Sequence, residues 1–389
     1  MHLMIYSWRA WNQIDVEEAL QALGHTLCYL PFCPRNIEED DSFVEQTVTD
    51  LKKEQPQALF SINYFPVLAE ACHETGIPYI CWNCDGSLLA MYHRSVFYDT
   101  NFIFTFDRAC CEEFHKYGVS QIWHLPLGVN PKLPAFQSAP ALDISFVGNL
   151  YQKNAFDRIS SKLPPYLAGY LDCALLAQQK VSGGNMLDAL LTAPVCDQLE
   201  SLVDYKRSKD SFATVRQLFS STVLGFKAES LRRHAMLQSL ARLGRQLTPA
   251  ANVHLFTEDT DTELLFVTVH PAIDYQIQMP QIFHTSRINL HSTVPTIRSG
   301  ISLRVWDVLR AGGFLLTDYQ TELEDYLTPG RHLAVYEDTE ELTALAAYYL
   351  THETKRCTIA QAGQDLVLRE HTWQARLTTL FSTLIPYLY

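Results

Sequence analysis

Short runs of apolar residues alternate with amphipathic stretches through about the first 130 residues of the chain. Runs such as HLMIYSW, QALFSIN, IPYICWN and NFIFTF are apolar over most of their length, which is typical of strands buried on both faces of a sheet. The stretches between them, such as VEEALQALG and DSFVEQTVTDLKKE, have the periodicity of amphipathic helices. This alternation predicts a parallel, doubly wound α/β sheet, whose ligands bind at the carboxyl ends of the strands.

A Pro-rich stretch at residues 130–141 interrupts the alternation and predicts an interdomain linker. Strand patterns resume with DISFVGN and later with NVHLFT, SRINLHS, GGFLLTD and HLAVYED. Residues from about 155 to 250 carry mainly helical patterns, which predicts a helical insertion. The sequence therefore predicts an α/β domain at 1–141, a second α/β domain at 142–375 that contains the insertion, and a final helix at 376–389.

Composition narrows the class of protein. Of the 389 residues, 47% are hydrophobic and 19% are charged, so each half can bury a core and global disorder is excluded. The net charge of −13 argues against a nucleic-acid binder and against a polybasic membrane dock. No apolar run approaches the roughly 18–20 residues that span a bilayer, and the N-terminus predicts a strand rather than a signal peptide. Since ten cysteines accompany no leader sequence, we expect reduced thiols and a cytoplasmic location.

Two short motifs suggest redox or metal chemistry, each beside a simpler explanation. Cys81 and Cys84 form a CxxC at a strand end, as in a redox pair or half of a zinc site. No second CxxC completes a metal site, so burial at a strand end is the favoured explanation. Asp259 and Asp261 form a DxD that holds a cation on a diphosphate in some sugar transferases, but an acidic loop gives the same spacing by chance.

The most informative stretch covers residues 296–318, where a Ser-Gly turn at Ser299 and Gly300 opens a predicted amphipathic helix. The amides and the positive dipole at such a helix start suit a phosphate group, and Arg304 adds a charged donor. Asp307 lies one turn inside the helix, where a carboxylate can accept two sugar hydroxyls. An ordinary βαβ crossover with solvent-facing arginines explains the same pattern.

Acidic residues follow several predicted strands of the first domain. Asp85 comes after IPYICWN, at a position that faces a ligand crevice and suits a general base, but a cap on the next helix is equally common. The same two explanations apply to Asp107 and Asp15. Trp8 and Trp11 lie in a loop that can stack on sugar rings or belong to the core.

Two long segments resemble a known family. INLHSTVPTIRSGISLRVWDVLRAGGFLLTDYQTEL and the tail that begins GRHLAVYEDTEEL resemble the C-terminal domain of the bacterial CgeB-like (spore-maturation) glycosyltransferases. The segments YSWRAWNQIDVEEALQALGH, FSINYFPVLAEACHETGIPYICWNCDGSLLAMY and FIFTFDRACCEEFHKYGV resemble the domain that accompanies it. The resemblance implies a GT-B fold, in which two Rossmann-like domains face a central cleft and the C-terminal one binds a nucleotide sugar.

The resemblance also implies roles for residues of the donor domain. Asp307 matches the second acid of an E-x7-E motif and would hold the ribose, whereas Ser299 stands where the first acid would be, so contact with the transferred hexose and the stereochemistry stay open. The amides of the helix start, the glycine turn after DISFV and two positions near the base complete the set implied for the donor: Gly148, Asn149, Thr257, Tyr275, Ser299, Gly300, Ser302, Leu303, Arg304 and Asp307.

On the acceptor side, Asp85 matches the strand-end residue that approaches the reacting centre. Its segment reads Cys-Asp-Gly-Ser at 84–87, where many family members read Tyr-Asp-Ser-Pro. We expect Asp85 to be the general base, with Trp8, Asn12 and Asn63 nearby on the acceptor side.

The sequence thus predicts a cytoplasmic hexosyltransferase that uses a UDP-sugar and requires neither a cofactor nor a metal ion. The acceptor stays open among proteins, peptides, glycans and small molecules. Two alternatives also stay open: a GT-B nucleotide-sugar epimerase, and an inactive module that only binds nucleotide sugars.

Overall fold

The computed structural model describes residues 1–86, 88–137, 141–202 and 208–388. The strands are β1 (His2–Tyr6), β2 (Thr26–Tyr29), β3 (Ala58–Ile62), β4 (Tyr79–Asn83), β5 (Asn101–Thr105), β6 (Ile122–His124), β7 (Leu142–Val147), β8 (Val253–Thr257), β9 (Val267–Pro271), β10 (Ser286–Leu290), β11 (Leu315–Asp318) and β12 (Ala334–Tyr336). The helices are α1 (Gln13–Ala22), α2 (Asp41–Glu54), α3 (Pro66–Thr75), α4 (Arg108–Tyr117), α5 (Ala155–Ile159), α6 (Pro165–Gln178), α7 (Leu187–Leu190), α8 (Ala193–Leu202), α9 (Val215–Leu218), α10 (Leu224–Gln246), α11 (Gln278–Thr285), α12 (Leu303–Arg310), α13 (Leu323–Tyr326), α14 (Thr339–Thr351), α15 (Glu353–Glu370) and α16 (Trp373–Leu388).

The chain divides into two compact units. The first consists of Met1–Gly128, Asp204–Leu218 and Thr372–Tyr389, and the second of Val129–Val203 and Phe219–His371. Each unit contains one six-stranded sheet in which all strand pairs are parallel. The predicted pair of doubly wound α/β domains is therefore confirmed.

The sheet of the first unit has the strand order β2-β1-β3-β4-β5-β6. Every residue of β3, β4 and β5 is buried, as their continuous apolar sequences require. The helix α16, at the end of the chain, belongs to this unit because its Trp373 ring meets the Trp82 ring edge-on at 5.2 Å. Phe381 of the same helix stacks on His25 at 4.3 Å, which extends the contact.

The sheet of the second unit has the order β12-β11-β10-β7-β8-β9. The predicted insertion corresponds to α5–α10, apart from the segment 204–218 that belongs to the first unit. The edge strand β9 has no counterpart in the sequence prediction, and none of its five residues is buried. In the described part of the chain, no helix is both long and apolar enough to cross a bilayer.

The boundary between the units lies at 128/129 rather than at the predicted position 141. The boundary lies there because the segment after Gly128 is hydrogen-bonded to residues of the second unit. The amide of Val129 donates to the His371 carbonyl at 2.9 Å. The guanidinium of Arg310 donates to the carbonyl of Asn130 at 2.6 Å and to that of Lys132. The first part of the predicted linker is thus fixed to the second unit, while residues 138–140 lie outside the described residues.

Candidate functional site

The loop that follows β7 forms a tight turn at the carboxyl edge of the second sheet. The side-chain oxygen of Asn149 accepts the Tyr151 amide at 2.5 Å, and Tyr151 has a left-handed backbone with φ of 53°. A Cβ atom on Gly148 would lie 3.2 Å from the Phe146 ring and 3.4 Å from Arg233 Nη1. Glycine therefore keeps this loop close to the residues beneath it.

Arg233 of α10 joins this loop to the one that follows β10. It donates to the carbonyl of Asn149 at 2.5 Å and to that of Ser292 at 3.0 Å. Its Nε pairs with Glu229 at 2.6 Å, and the Ser292 hydroxyl donates to the same Glu229 oxygen at 2.6 Å. Burial opposes the charged form of Arg233, but the combined effect of Glu229, Tyr151 and Asp318 outweighs it and holds the pKa of the guanidinium above its ordinary value.

Sequence reasoning did not identify Arg233 or Glu229 as site residues. Their spacing of four along a helix indicates an ion pair on one helix face, but such pairs are usually solvent-exposed. Here the side chains are 8% and 0% exposed, and the pair lies under two loops of the sheet edge.

The start of α12 lies beside the same loops. His291 follows β10, and its Nε2 is 2.8 Å from the Ser302 hydroxyl while its Nδ1 is 2.9 Å from the Thr317 hydroxyl. Burial, together with the charges of Arg233 and Arg304, holds the pKa of His291 well below its usual value, so the imidazole is neutral at pH 7. His291 was not among the sequence predictions.

The helix begins at Leu303 with Ser302 as its N-cap, so Ser299 and Gly300 precede the helix instead of opening it. The Ser302 side chain makes no cap hydrogen bond, since its hydroxyl is engaged with His291. The first backbone amides of a helix have no partner within the helix. The amides of Leu303 and Arg304 therefore lie at the helix start as donors without a partner in the helix.

Three predicted donor-side residues meet one turn further along the helix. The Tyr275 hydroxyl donates to one Asp307 oxygen at 2.9 Å, and Arg304 Nη1 lies 3.3 Å from the other. The Arg304 guanidinium also lies over the Phe283 ring at 5.5 Å. The structure thus brings Tyr275, Arg304 and Asp307 into one cluster.

Ser299 is not part of this cluster and instead contacts Glu322. Its hydroxyl donates to Glu322 Oε1 at 2.7 Å, and the Glu322 amide donates to the Ser299 carbonyl at 3.2 Å. The position where the resemblance implies an acid therefore has a buried carboxylate beside it, supplied by the segment after β11. A contact between residues this far apart in sequence leaves no local pattern.

The DxD motif lies next to the β7 loop. Asp259 accepts the Leu150 amide at 2.8 Å, and its own amide donates to the Thr257 hydroxyl at 3.1 Å. Thr257 itself is buried, so its side chain faces the protein. Within the described residues, no group of three or more potential metal-ligating side chains is found. Asp259 thus joins the loops that follow β7 and β8.

The buried acid Asp318 ends β11 beneath this region. It accepts the Thr293 amide at 3.0 Å and the Thr293 hydroxyl at 3.0 Å, and Arg232 Nη1 lies 3.4 Å away. Burial raises its pKa to about 6, against the opposing effect of Arg232.

We expect Asp318 to make the second unit less stable as the pH rises. The folded state holds this proton more tightly than the unfolded chain, whose ordinary pKa is 3.8. The protonated form therefore stabilises the fold at low pH, and that stabilisation, on the order of 3 kcal/mol, is lost as the pH rises through about 6. Urea denaturation of the protein and of its Asp318→Asn variant, at several pH values between about 4 and 7, measures this contribution.

The free energy of unfolding of the protein minus that of Asp318→Asn is expected to fall with rising pH. Asp365→Asn, at an exposed position of α15, serves as the control and should give a difference that does not vary with pH. A pH-independent difference for Asp318→Asn would contradict the role given to burial.

At the carboxyl edge of the first sheet, Asp85 and Asn63 form a pair. Asn63 has a left-handed backbone with φ of 66°, and its Nδ2 donates to Asp85 at 2.7 Å. Asn63 Oδ1 accepts a hydrogen bond from the Cys84 amide at 2.9 Å, and this contact fixes the loop that carries Asp85. Desolvation raises the pKa of Asp85 and the hydrogen bond from Asn63 opposes it, although the residue is exposed to solvent. Ser87, in the same segment, lies outside the described residues.

The remaining predicted acceptor-side residues lie near this pair. Asn12 Nδ2 donates to the Cys84 sulfur at 3.4 Å. The Trp8 indole donates to the Ile62 carbonyl at 2.7 Å, so it is anchored to the end of β3. Trp11 is 66% exposed and is the tryptophan of this loop that presents its ring to solvent.

The other acids and the cysteines have structural roles. Asp107 is the N-cap of α4 and accepts the Cys110 amide at 3.2 Å, and Asp15 is buried in the first turn of α1. Cys81 and Cys84 are free and buried, and burial raises the pKa of both thiols. Thiols of this kind are unreactive, which favours the explanation of buried strand-end residues over a redox pair.

The whole chain has the fold of GT-B glycosyltransferases. HepE from Anabaena, in complex with UDP-glucose, matches with a TM-score of 0.62 at 10% identity and 99% coverage of each chain. Sucrose-phosphate synthase from Thermosynechococcus elongatus matches with a TM-score of 0.54 at 12% identity and 99% coverage of each chain. MnaA from S. aureus, in a structure with UDP, matches with a TM-score of 0.51 at 8% identity, over 100% of this chain and 98% of that one.

The sequence of residues 232–382 matches the family described as "Glycosyl transferase-like". No curated protein sequence matches the chain. The matched segment contains His291, Ser302, Asp307 and Asp318. The C-terminal part of the chain therefore has a glycosyltransferase-like sequence, and the complete chain has the corresponding fold.

Proposed function

We propose that the protein is a glycosyltransferase that moves a hexose from a UDP-sugar to an acceptor. We further propose that it belongs to the CgeB-like subtype and acts in the bacterial cytoplasm. The observation that carries the proposal is the start of α12. There the Ser302 hydroxyl is held by a neutral histidine and the first amides of the helix are left as donors. The complexes of HepE with UDP and with UDP-glucose, which has the same fold, support UDP as the nucleotide.

In this proposal the diphosphate binds the amides of Leu303 and Arg304 and lies against the Gly148–Asn149 loop. Arg233 stabilises that arrangement because it holds the carbonyls of Asn149 and Ser292. With these carbonyls engaged by Arg233, their oxygens are not available to repel a bound anion.

Asp307 and Tyr275 would receive the ribose and the base. Their mutual hydrogen bond, together with Arg304, fixes the carboxylate before the donor binds. Such preorganisation lowers the entropy cost of binding.

Departure of the diphosphate would be assisted by the dipole of α12 and by Arg304, and we propose that no metal ion takes part. Oriented amides and a guanidinium stabilise the charge that develops on the leaving group. EDTA is therefore expected to leave donor binding and transfer unchanged.

The acceptor would bind the first unit, where we propose Asp85 as the general base. Asp85 would take the proton of the acceptor hydroxyl as its oxygen forms a bond to the anomeric carbon, and the bond from that carbon to the diphosphate would break, which releases UDP. The pKa of Asp85, raised by desolvation, strengthens the carboxylate as a base.

Leu303→Pro tests the donor site. Proline at the first position of a helix is well tolerated, and the extended backbone of Ser302, with ψ of 152°, accommodates it. The substitution removes one amide donor, and hydrogen bonds to charged groups contribute about 1.5–3 kcal/mol. We therefore expect the affinity for UDP, measured by calorimetry, to fall about 10- to 100-fold.

Leu303→Ala, which keeps the amide, is the matched control and should bind UDP as the unchanged protein does. Equal UDP affinity in both variants would overturn the proposed diphosphate site. Product analysis with UDP-glucose and a panel of acceptors then separates transfer from epimerisation of the donor and from binding alone.

A further inference from the structure

A cavity of about 660 Å³ opens at the opposite, amino-terminal edge of the second sheet. It lies where β7 and β10 begin and where α15 starts, and its lining includes Asp143, His284, Arg287, Glu353, Arg356 and Cys357. β7 has 6 residues, so this cavity is about 20 Å from the loops at the other end of the same strand. None of the residues proposed to bind the sugar donor lines it.

Arg356 is a buried cation with incomplete pairing. Arg356 is 8% exposed, and its Nη1 donates to the Arg287 carbonyl at 3.0 Å. Its Nε is buried and has no hydrogen-bond partner among the described residues. The nearest carboxylate, that of Glu353, is 3.8 Å away on a side chain that is 77% exposed, and exposed pairs of this kind contribute little.

The neighbours of Arg356 do not supply the missing negative charge. Asp143 is engaged by Arg287 at 3.0 Å, and the Arg287 guanidinium also donates to the Leu350 carbonyl. Burial lowers the pKa of Arg356, and the like charge of Arg287 adds to this effect. Since arginine stays protonated in proteins, an anion at this position would offset the cost of burying it.

The start of α15 adds to the positive potential of the cavity. The side chain of the N-cap residue, His352, makes no cap hydrogen bond, because its Nδ1 faces the Tyr348 carbonyl at 2.7 Å. The first turn of this helix of 18 residues carries Glu353 and Arg356, and its dipole favours an anion.

We propose that this cavity binds a small phosphorylated metabolite, with its phosphate on the Arg356 guanidinium and its organic part in the remaining space. The volume lies within the range of about 300–1,000 Å³ that is usual for small-molecule sites, which is more than a free phosphate needs. The inference is independent of the proposed transferase activity.

Cys357 gives a direct test in the unchanged protein. It lines the cavity and is exposed, whereas Cys173 of α6 is exposed and is not part of the lining. We expect glucose 6-phosphate at ten times its Kd to slow the alkylation of Cys357 by iodoacetamide about tenfold, because only the free fraction reacts. The alkylation of Cys173, measured in the same sample by peptide mass spectrometry, should not change.

Glucose, which lacks the phosphate, and UDP, which is directed to the other edge of the sheet, should protect neither cysteine. Arg356→Gln should abolish the protection of Cys357, with an unchanged Cys173 rate as evidence that the fold is intact. Unchanged alkylation of Cys357 at millimolar glucose 6-phosphate, or equal protection by glucose, would overturn the proposal. If Arg356→Gln does not fold, the comparison of glucose 6-phosphate with glucose in the unchanged protein still decides it.

Discussion

We expect the Asp85→Asn variant to transfer sugar about 10²- to 10⁴-fold more slowly than the unchanged protein, which is the usual contribution of a general base. Asparagine has the shape of aspartate and can still accept the 2.7 Å hydrogen bond from Asn63, so the loop keeps its conformation. What is lost is the ability to take a proton. The rate is measured as UDP release in the presence of the acceptor that the product analysis identifies.

Asp107→Asn is the matched control for this variant. Asp107 also follows a strand of the first sheet, but it caps α4, and asparagine caps helices as well as aspartate does. We expect its transfer rate and the UDP affinity of both variants to be unchanged. A transfer rate for Asp85→Asn within a few-fold of the Asp107→Asn rate would exclude Asp85 as the base.

The pH profile gives a second, independent measure of Asp85. A base acts in its ionised form, so kcat/KM should fall as the pH is lowered through the pKa of Asp85. Because desolvation raises that pKa, the fall is expected at a pH above the ordinary pKa of aspartate. Asp85→Asn should lose this acid limb, whereas Asp107→Asn should keep it.

The architecture could be predicted from the sequence because its strands are buried on both faces. In β3, β4 and β5 every residue is buried, and such strands give uninterrupted apolar runs that are easily recognised. The edge strand β9 was missed although the apolar run LLFVTV at 264–269 overlaps it, and in the structure none of its five residues is buried. The boundary at 128/129 could not be placed either, because it depends on contacts of Arg310 and His371 with distant backbone carbonyls and amides.

The candidate site also has features that the sequence predicts and contacts that it does not. The glycine turn at Gly148 and the amphipathic helix α12 are local features that residues close in sequence encode, although α12 begins at Leu303 and not at the predicted Ser-Gly turn. The contacts of Arg233 with Asn149 and Ser292, and of His291 with Ser302 and Thr317, join segments that are distant in sequence. A single sequence shows that such a residue is polar, but not which backbone group it will meet.

Arg233→Met is expected to destabilise the second unit by about 3–5 kcal/mol, because it leaves the Glu229 carboxylate buried without its cation. Glu229 is fully buried, and one of its oxygens has no hydrogen-bond partner among the described residues. The loss would also remove the contacts of the guanidinium with the Phe146 and Tyr151 rings, which lie 5.1 and 4.9 Å away. Urea denaturation of the full chain, followed by hydrogen exchange in α10, measures the change.

Arg242→Met is the control, since Arg242 is an exposed residue of the same helix and its loss should change the free energy of unfolding by no more than about 0.5 kcal/mol. The double variant Arg233→Met/Glu229→Gln distinguishes a buried charge from lost packing. If the unpaired carboxylate causes the destabilisation, the second substitution removes that charge and restores much of the stability. If packing causes it, the double variant is at least as unstable as the single one. Recovered stability without recovered UDP affinity would separate the neutralisation of Glu229 by Arg233 from its proposed role of holding the carbonyls of Asn149 and Ser292 at the diphosphate site.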